Sequence, residues 1–527
     1  MKKLPIGVST FQSIITSGAL YVDKTEILYQ LIHSSEPKRY FFSRPRRFGK
    51  SLTCSTLSSF FSGKKELFTN LWIGQSDYAW QERPVLLFDF SQIDHETPER
   101  LVEGLHSALD AHAYAYGLVL KEKLLKAKFA ELIRTLGQTI APVAVIIDEY
   151  DKPMVDLVDN LAYAERSRSE LKNFYGTLKG ADVDAHMHFL FVTGVSKFSK
   201  VSLFSDLNNL EDLTNDERAA ALVGYTDQEV DFYFTEHIRA FADKRHEEYA
   251  QTRQVVKAWY NGYRFTKSNL KVYNPFSLHN CLAKKDLYNY WFSSGTPSFL
   301  IKFIEQNPIV AADIETIEGS FFSESNLESF TIDLYYQNYR TLLLQTGYLT
   351  FLSDYDPGKR GYRIGYPNEE IRYSITEQIM QFVGGLTPEQ FGEFGDRFRK
   401  ALVADDLGLF CKHLQDFIKL VPHNIRVNRE KFYHQIFFMV CVLFGRRPPT
   451  EAATEEGFMD LLLEGTTCTF VVEFKKDSTP EVALEQIERK RYWEPYKIVQ
   501  NKRIVLAGIT FNKSETGIDV LLKTKEL

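Results

Sequence analysis

The chain has 527 residues, of which 44% are hydrophobic and 25% charged, as in an ordinary globular protein. This length is too great for one hydrophobic core, so we expect several domains. The net charge of −6 excludes a globally basic nucleic-acid-binding protein, so nucleic acid would have to bind at local patches. The five cysteines lack C-x-x-C spacing, which argues against a zinc site or a disulfide framework. With no long apolar run, the sequence predicts a cytoplasmic protein without a membrane segment.

The first motif joins a strand pattern to a helix pattern. The apolar run Tyr40-Phe-Phe-Ser43 precedes Arg44-Pro-Arg-Arg-Phe-Gly-Lys-Ser51, and helical patterning covers Leu52 to Phe61. A strand, Gly-Lys-Ser and a helix together predict a phosphate-binding loop, in which backbone N–H groups face the anion. Lys50 is then expected to reach the outer phosphates of a nucleotide, and the Ser51 hydroxyl to bind Mg²⁺.

Other residues of this loop add to the prediction and complicate it. Gly49 belongs to the motif, and Arg46 and Arg47 are candidates for further phosphate contacts, with a solvated basic turn as the alternative. Arg44 stands where the usual pattern has its first glycine, and it lacks the conformational freedom of glycine. Nucleotide binding is therefore a firmer expectation here than hydrolysis.

Three more buried-strand patterns follow, at Pro84–Phe90, Val143–Ile147 and His188–Thr193, with helical patterning from about Pro98 to Leu136. Continuous apolar strands that alternate with helices predict a parallel α/β sheet.

Two of these strands end in candidate site residues. Val143–Ile147 is followed by Asp148 and Glu149, which in a P-loop NTPase hold the Mg²⁺ shell and polarise the attacking water. Ser196 and Lys197 follow the next strand, either as a γ-phosphate sensor or as an ordinary loop.

The middle of the chain is predicted to be helical and then mixed. Aromatic loops occur at Tyr260–Phe265 and Tyr273–Phe276, and we interpret them as packing elements rather than as stacking surfaces for a base. Arg264 is a candidate phosphate contact from this region. A short α+β connector is expected around residues 330–372.

A second group of chemically reactive residues lies near the C-terminus, on two successive strand patterns. Asp460 ends Gly457-Phe-Met-Asp, and Glu473 and Lys475 share one face of the next strand because side chains alternate. Two carboxylates suit a hard cation, Mg²⁺ or alternatively Mn²⁺, and the lysine can orient water and offset phosphate charge. The competing interpretation is an exposed cross-strand ion pair.

The flanking helices extend this candidate site. A helix is expected from Pro480 to about Tyr492, which directs Gln486 to the site or to a nucleic-acid phosphate. Glu430 and His434 lie one turn apart and could add a ligand, but the aromatic neighbours of His434 favour a packed core histidine. A strand at Arg503–Ile509 is expected to complete the domain.

Long motifs along the chain resemble those of the AAA-ATPase-like family of prokaryotic proteins, which typically end in a PD-(D/E)xK nuclease-type domain. The motifs are Leu4–Gly7, Tyr21–Thr25, Ser43–Leu52, Thr193–Ser202, Leu207–Leu210, Trp259–Phe265, Tyr273–Ser277, Gln345–Leu349 and Tyr366–Glu370. The resemblance implies that Arg44 is the family's own version of the loop. It also supports a metal-binding role for Asp460 and Glu473.

Together these observations predict an α/β protein with a P-loop NTPase parallel sheet, a helical lid, an α+β connector and a C-terminal restriction-endonuclease-like domain. The expected divisions are 1–225, 226–310, 311–386 and 387–527. The predicted function is ATP binding and hydrolysis coupled to Mg²⁺-dependent cleavage of nucleic acid, DNA rather than RNA. One alternative is an ATP-switched module that binds nucleic acid or protein and has a catalytically inactive nuclease fold. The other is a motor-like ATPase whose nuclease fold is only a scaffold. The sequence leaves the oligomeric state open, a homo-oligomer included.

Overall fold

The computed structural model describes residues 1–33, 38–157, 160–195, 210–293, 318–328, 339–421, 430–443, 450–454, 457–496, 502–511 and 517–525. These residues form two compact units. The first comprises the described residues of Met1–Ser294 and Glu318–Ile371, and the second those of Arg372–Leu527. The four-part division expected from the sequence stays a prediction.

The first unit is built on a five-stranded parallel sheet. Its strands are β1 (Lys38–Ser43), β2 (Val85–Asp89), β3 (Val143–Asp148), β4 (Met187–Gly194) and β5 (Glu211–Asp212). Their order is β2-β3-β4-β1-β5, and neighbouring strands run parallel. All six side chains of β3 are buried, as expected for a central strand of a parallel sheet. The predicted parallel α/β sheet is confirmed.

Helices connect and extend this sheet. They are Phe11–Thr16, Thr25–Ile32, Lys50–Phe61, Pro98–Ala115, Leu125–Thr139, Lys152–Val155, Leu161–Tyr175, Ala181–Asp184, Asp227–Tyr233, Thr235–Arg245, Tyr249–Tyr260, Pro275–Lys284, Tyr290–Ser293, Ser325–Glu328 and Tyr339–Thr346. The helical patterning expected from about Pro98 to Leu136 forms two helices and not one, because the first helix ends at Ala115. Gly117 has a φ of 68°, a left-handed conformation that favours glycine and ends helices.

A small antiparallel sheet completes the first unit. It contains β6 (Ser320–Ser323), β7 (Thr350–Phe351) and β8 (Gly361–Gly365) in the order β6-β8-β7. Strands and short helices thus occur together in this part of the chain.

The second unit packs helices with a mixed sheet. Its helices are Glu369–Gly384, which begins in the first unit, Pro388–Val403, Leu407–Leu420, Glu430–Leu443 and Pro480–Arg489. Its strands are β9 (Thr450–Thr454), β10 (Gly457–Glu464), β11 (Cys468–Lys476), β12 (Arg503–Phe511) and β13 (Ile518–Lys525), in the order β13-β12-β11-β10-β9. The pair β11–β12 is parallel, and helix Pro480–Arg489 makes the crossover between these strands.

The C-terminal strand prediction was incomplete. The strand expected at Arg503–Ile509 is not the last, because β13 follows it and pairs with it in antiparallel orientation. β13 lies at the edge of the sheet, and most of its side chains are exposed or half-buried, so it lacks the apolar pattern of a buried strand. Across the described ranges, none of the helices is long and apolar enough to cross a membrane.

Candidate functional sites

The phosphate loop (residues 44–51) joins β1 to helix Lys50–Phe61. Gly49 caps the helix with a φ of 106°, which allows the chain to turn sharply into its first turn. Lys50 is buried, and its Nζ donates hydrogen bonds of 2.9 Å to the carbonyl oxygens of Arg44 and Pro45. Burial lowers the pKa of Lys50, while the negative charges of Asp148 and other nearby carboxylates oppose this shift. The ammonium group therefore lies within the loop.

Arg44 does not occupy the loop as a substitute for glycine. Arg44 is not one of the described residues whose backbone φ is positive, so its backbone does not require the conformational freedom of glycine. Its side chain is 1% exposed, and its guanidinium lies 4.5 Å from the ring centroid of Phe42 and 4.3 Å from that of Phe265. It also donates a hydrogen bond to the Thr214 carbonyl. Burial lowers the pKa of Arg44 to about 9.

Arg46 and Arg47 are both exposed in the same loop. The backbone of Arg47 is left-handed, with a φ of 66°, and its guanidinium lies 4.7 Å from the ring centroid of Phe276. The carbonyl of Arg46 accepts a hydrogen bond of 3.0 Å from the indole Nε1 of Trp291. The exposed side chains are available at the loop surface, and their contact with phosphate stays a prediction.

The acidic end of β3 lies beside the phosphate loop. Asp148 is buried, and its carboxylate accepts hydrogen bonds from the Ser51 hydroxyl and, at 3.0 Å, from the Glu149 backbone N–H. Burial raises the pKa of Asp148 to about 6, and the Ser51 hydrogen bond and the Lys50 charge oppose this effect. Glu149 is half-buried and has a φ of 54°. The structure thus brings Lys50, Ser51 and Asp148 together.

Sequence reasoning missed two further carboxylates at this sheet edge. Asp89, the last residue of β2, pairs in register with Asp148, and the carboxyl ends of parallel strands meet at one edge. Asp151 is buried, and its two carboxylate oxygens each lie 3.2 Å from the backbone nitrogen of Val195. The apolar run ending in Asp89 was a usable signal for the first residue. Ser196 and Lys197, the candidate sensor residues, lie outside the described residues.

Arg264 does not have the predicted phosphate-binding role. It is 1% exposed and donates hydrogen bonds to the carbonyls of Ser268 at 2.8 Å and Ser353 at 2.9 Å, and to the Asp354 carboxylate at 3.0 Å. A buried guanidinium whose donors are already bonded to protein acceptors has a structural role. The aromatic loops that contain Arg264 and Tyr273 are packing elements, as interpreted, because their tyrosines are fully buried.

The second candidate site lies on β10 and β11. Leu461 pairs with Val472 across these strands. Asp460 and Glu473 are the next residues along each strand in the direction away from the hairpin turn. An oxygen of Asp460 accepts a hydrogen bond of 2.8 Å from the Phe474 backbone N–H. The structure therefore brings the two predicted metal ligands to the same end of the strand pair.

Two nitrogen groups complete this cluster. Oε1 of Glu473 accepts a hydrogen bond of 2.8 Å from Nζ of Lys475, and another from Nε2 of Gln486. Gln486 reaches the carboxylate from helix Pro480–Arg489, so the first of its two predicted directions, toward the site, is the one observed. The cluster is not an exposed ion pair, since the Glu473 side chain is 2% exposed.

The electrostatics of this cluster favour a bound cation. Burial raises the pKa of Glu473 to about 7, the charge of Asp460 adds to the effect, and Lys475 opposes it. Burial also raises the pKa of Asp460. Oε2 of Glu473 is buried without a hydrogen-bond partner among the described residues, which is costly for a carboxylate. An oxygen-ligated divalent cation therefore fits these residues.

A third metal ligand is not evident in the described ranges, where no group of three or more His, Cys, Asp or Glu side chains is arranged to hold a metal ion. The ring of His434 lies 4.3 Å from that of Phe474, centroid to centroid, and burial lowers the pKa of His434 to about 4. His434 is therefore a packed aromatic neighbour of the site, as interpreted. The side chain of Glu430 lies outside the described part of the chain.

Comparisons with known proteins agree with this two-part architecture. Residues 5–204 match the family model described as a predicted AAA-ATPase, and residues 428–520 match that of the PD-(D/E)XK nuclease superfamily. An "Uncharacterized protein in vnfD 5′region" of Azotobacter chroococcum mcd 1 is 33% identical over 535 residues, which cover 98% of this chain and 98% of the relative. The chain therefore belongs to the AAA-ATPase-like family and carries a C-terminal domain of the PD-(D/E)XK nuclease superfamily.

Proposed function

We propose that this protein binds and hydrolyses ATP with Mg²⁺ in its first unit and cleaves nucleic-acid phosphodiesters, DNA rather than RNA, in its second. The observation that carries the proposal is the cluster of Asp460, Glu473, Lys475 and Gln486, in which one buried carboxylate oxygen has no hydrogen-bond partner in the described part of the chain. Such a cluster suits a divalent cation and a charged phosphate better than it suits a protein core.

In the nucleotide site, each residue has a separate task. Lys50 neutralises the outer phosphates, and the backbone N–H groups around Gly49 face them at the helix N-terminus. Ser51 and Asp148, already hydrogen bonded to each other, hold Mg²⁺. Glu149 orients and polarises the attacking water, and Arg46 and Arg47 add charge at the loop surface.

In the nuclease site, Asp460 and Glu473 hold Mg²⁺, with Mn²⁺ as the alternative cation. When bound, the cation supplies Lewis-acid stabilisation of charge on the scissile phosphate. Lys475, whose ammonium lies 2.8 Å from Glu473 Oε1, orients water and offsets developing negative charge. Gln486 fixes the orientation of the Glu473 carboxylate.

Cleavage assays test the nuclease proposal directly. The protein is incubated with plasmid or single-stranded DNA, with Mg²⁺ or Mn²⁺, and with or without ATP. We expect cleavage by the wild type and by Glu464→Gln, a matched control at an exposed carboxylate on β10. We expect none from Glu473→Gln. Cleavage that survives Glu473→Gln contradicts the assigned site.

The nucleotide site needs its own measurement, because the two activities can fail separately. We expect Lys50→Ala to lose ATP binding in calorimetric titrations and to lose ATP hydrolysis.

The second candidate function is an ATP-switched binding module with an inactive nuclease fold, which is favoured by the finding of two carboxylates, and not three, in the described cluster. Binding of DNA without cleavage in either metal would support that alternative.

A further inference from the structure

Three residues from distant parts of the first unit contact the turn at residues 45–47 of the phosphate loop. The indole N–H of Trp291 donates to the Arg46 carbonyl at 3.0 Å, and the Phe276 ring lies under the Arg47 guanidinium. Gly347 is so close that an added Cβ would lie 2.7 Å from the Pro45 side chain. We call Phe276, Trp291 and Gly347 the loop cradle.

One buried carboxylate connects two members of the loop cradle. Oε1 of Glu370 accepts hydrogen bonds of 2.9 Å from the Ser277 hydroxyl and 2.7 Å from the Trp291 backbone N–H. Ser277 is the residue after Phe276 in helix Pro275–Lys284. Glu370 is 0% exposed, so these hydrogen bonds are shielded from solvent. A single oxygen atom therefore sets the relative positions of Phe276 and Trp291.

The segment that carries Glu370 is itself held in place. The Asn368 side chain donates a hydrogen bond of 2.9 Å to the Asn261 carbonyl. The next residue, Gly262, has a φ of 108° and packs so closely on the Pro367 carbonyl that an added Cβ would overlap with it. Glu370 thus projects from a fixed backbone, as a positioning group requires.

We propose that Glu370 is a positioning residue of the nucleotide site, which holds residues 45–47 through Phe276 and Trp291 in the conformation that receives the phosphates of a nucleoside triphosphate. The proposal rests on the proposed ATP site. Glu370 acts through other residues and does not itself touch the nucleotide.

The physical reason is preorganisation. A phosphate loop binds an anion with backbone N–H groups, and their directions depend on the conformation of each peptide unit. The hydrogen bond from Trp291 fixes the peptide unit at Arg46, so the loop loses less conformational freedom when phosphate binds. Removal of the cradle should therefore weaken nucleotide binding more than it weakens the fold.

Trp291→Phe is the sharpest test. Phenylalanine keeps an aromatic ring beside Tyr348, whose ring centroid lies 5.0 Å from that of Trp291, but it cannot donate to Arg46. We expect the Kd for ATP, measured by calorimetry, to rise about fivefold with little change in Tm. The matched control is Trp72→Phe, a partly exposed tryptophan packed on Tyr29, for which we expect the wild-type Kd.

Glu370 is tested by a pair of variants. Glu370→Gln keeps a carbonyl oxygen for both donors, and we expect its Kd to stay within about twofold of wild type, whereas Glu370→Ala should raise the Kd about tenfold. Glu369→Gln, the same change at the half-buried neighbour, is the control and should bind as wild type does. All titrations are made on folded protein, well below each Tm.

The outcomes separate this proposal from the proposed function. If Lys50→Ala abolishes ATP binding while Trp291→Phe and Glu370→Ala keep the wild-type Kd, the positioning role is overturned and the ATP site stands. If these two variants have a lower Tm but an unchanged Kd for ATP, the positioning role is likewise overturned. If Lys50→Ala binds ATP normally, the ATP site itself is overturned. Should Glu370→Ala not fold, the result for Trp291→Phe decides.

Discussion

A guanidinium nitrogen of Arg44 lies 2.6 Å from the carbonyl oxygen of Thr214, at the position where the usual phosphate-loop pattern has a glycine. The same nitrogen donates to the Ser43 carbonyl at 2.9 Å, and the rings of Phe42 and Phe265 flank the guanidinium. The arginine therefore connects the start of the loop to neighbouring segments.

Replacing this arginine should damage the fold. We expect Arg44→Gly to lower the free energy of unfolding of the first unit by about 3 kcal/mol, because buried carbonyls lose their donors and two aromatic rings lose their packing partner. Arg44→Lys should recover only part of this loss, since an ammonium cannot reproduce the planar donor geometry. Urea denaturation measures both values.

The control for this prediction is the exposed neighbour Arg46. Arg46→Ala removes a charge of the same type from the same loop but leaves its backbone carbonyl bonded to Trp291. We expect its stability to stay within about 0.5 kcal/mol of wild type. Equal stability of Arg44→Gly and Arg46→Ala would contradict the fastening role of Arg44.

Gly262 provides a second test of how the segments around the phosphate loop are held together. Its φ of 108° is unfavourable for any other residue, and a Cβ would overlap with the Pro367 carbonyl. We expect Gly262→Ala to destabilise the first unit by about 3 kcal/mol or more, from backbone strain and steric displacement together. Thermal and urea unfolding provide the measurement.

Gly176 is the matched control within the same unit. It follows helix Leu161–Tyr175 with a φ of −59°, and an added Cβ would meet no atom within 4 Å. Gly176→Ala should therefore be neutral or slightly stabilising, because alanine lowers the conformational entropy of the unfolded chain. A similar loss for both variants would show that glycine itself, and not the close approach to Pro367, is the cause.

Much of the architecture was predictable because its signals are local. The order strand, Gly49-Lys50-Ser51 and helix, and the apolar strand before Asp148, are short patterns with a direct physical meaning. The same holds for Glu473 and Lys475, whose alternation places them on one face. Local patterns therefore gave both candidate sites.

The parts that sequence reasoning missed depend on contacts between distant residues. The indole of Trp291 binds a carbonyl of the phosphate loop 245 positions away, and no periodicity or composition signals such a bond. Arg264 was misread for the same reason, since an arginine in an aromatic loop can bind phosphate or backbone carbonyls, and only tertiary packing decides. β13 was not predicted, because most of its side chains are exposed or half-buried and its sequence therefore lacks the apolar pattern of a buried strand.

The buried carboxyl of Glu370 predicts a pH dependence of stability. Burial raises its pKa to about 8, and the hydrogen bonds from Trp291 and Ser277 oppose this shift. The pKa in the folded state thus exceeds that of an unfolded glutamate, about 4.3. The stability linked to this carboxyl is therefore fully present below the unfolded-state pKa of about 4.3. It is lost as the pH rises from there to the folded-state pKa of about 8.

Glu370→Gln removes this titration. We expect the stability of the wild type relative to this variant to fall by more than about 1 kcal/mol between about pH 5 and about pH 8, as measured by urea denaturation. Burial raises the pKa values of the nearby Tyr260, Tyr263 and Cys281 groups above this window, so they do not titrate within it. Parallel pH profiles for wild type and Glu370→Gln would contradict the prediction.

The last prediction concerns Gln486, whose amide donates a hydrogen bond to the Glu473 carboxylate. Gln486→Glu removes this donor and adds a carboxylate beside Glu473 and Asp460. Without divalent metal, repulsion between these groups should lower the Tm of the second unit by about 3 °C or more. With millimolar Mn²⁺, the additional oxygen ligand should make the metal-induced rise in Tm larger than in the wild type.

The control for this prediction is the reverse exchange at the exposed neighbour, Glu485→Gln, which should change neither the Tm without metal nor the rise in Tm with Mn²⁺. A Tm of Gln486→Glu that equals that of the wild type with and without Mn²⁺ would mean that this cluster neither repels an added carboxylate nor holds a metal ion.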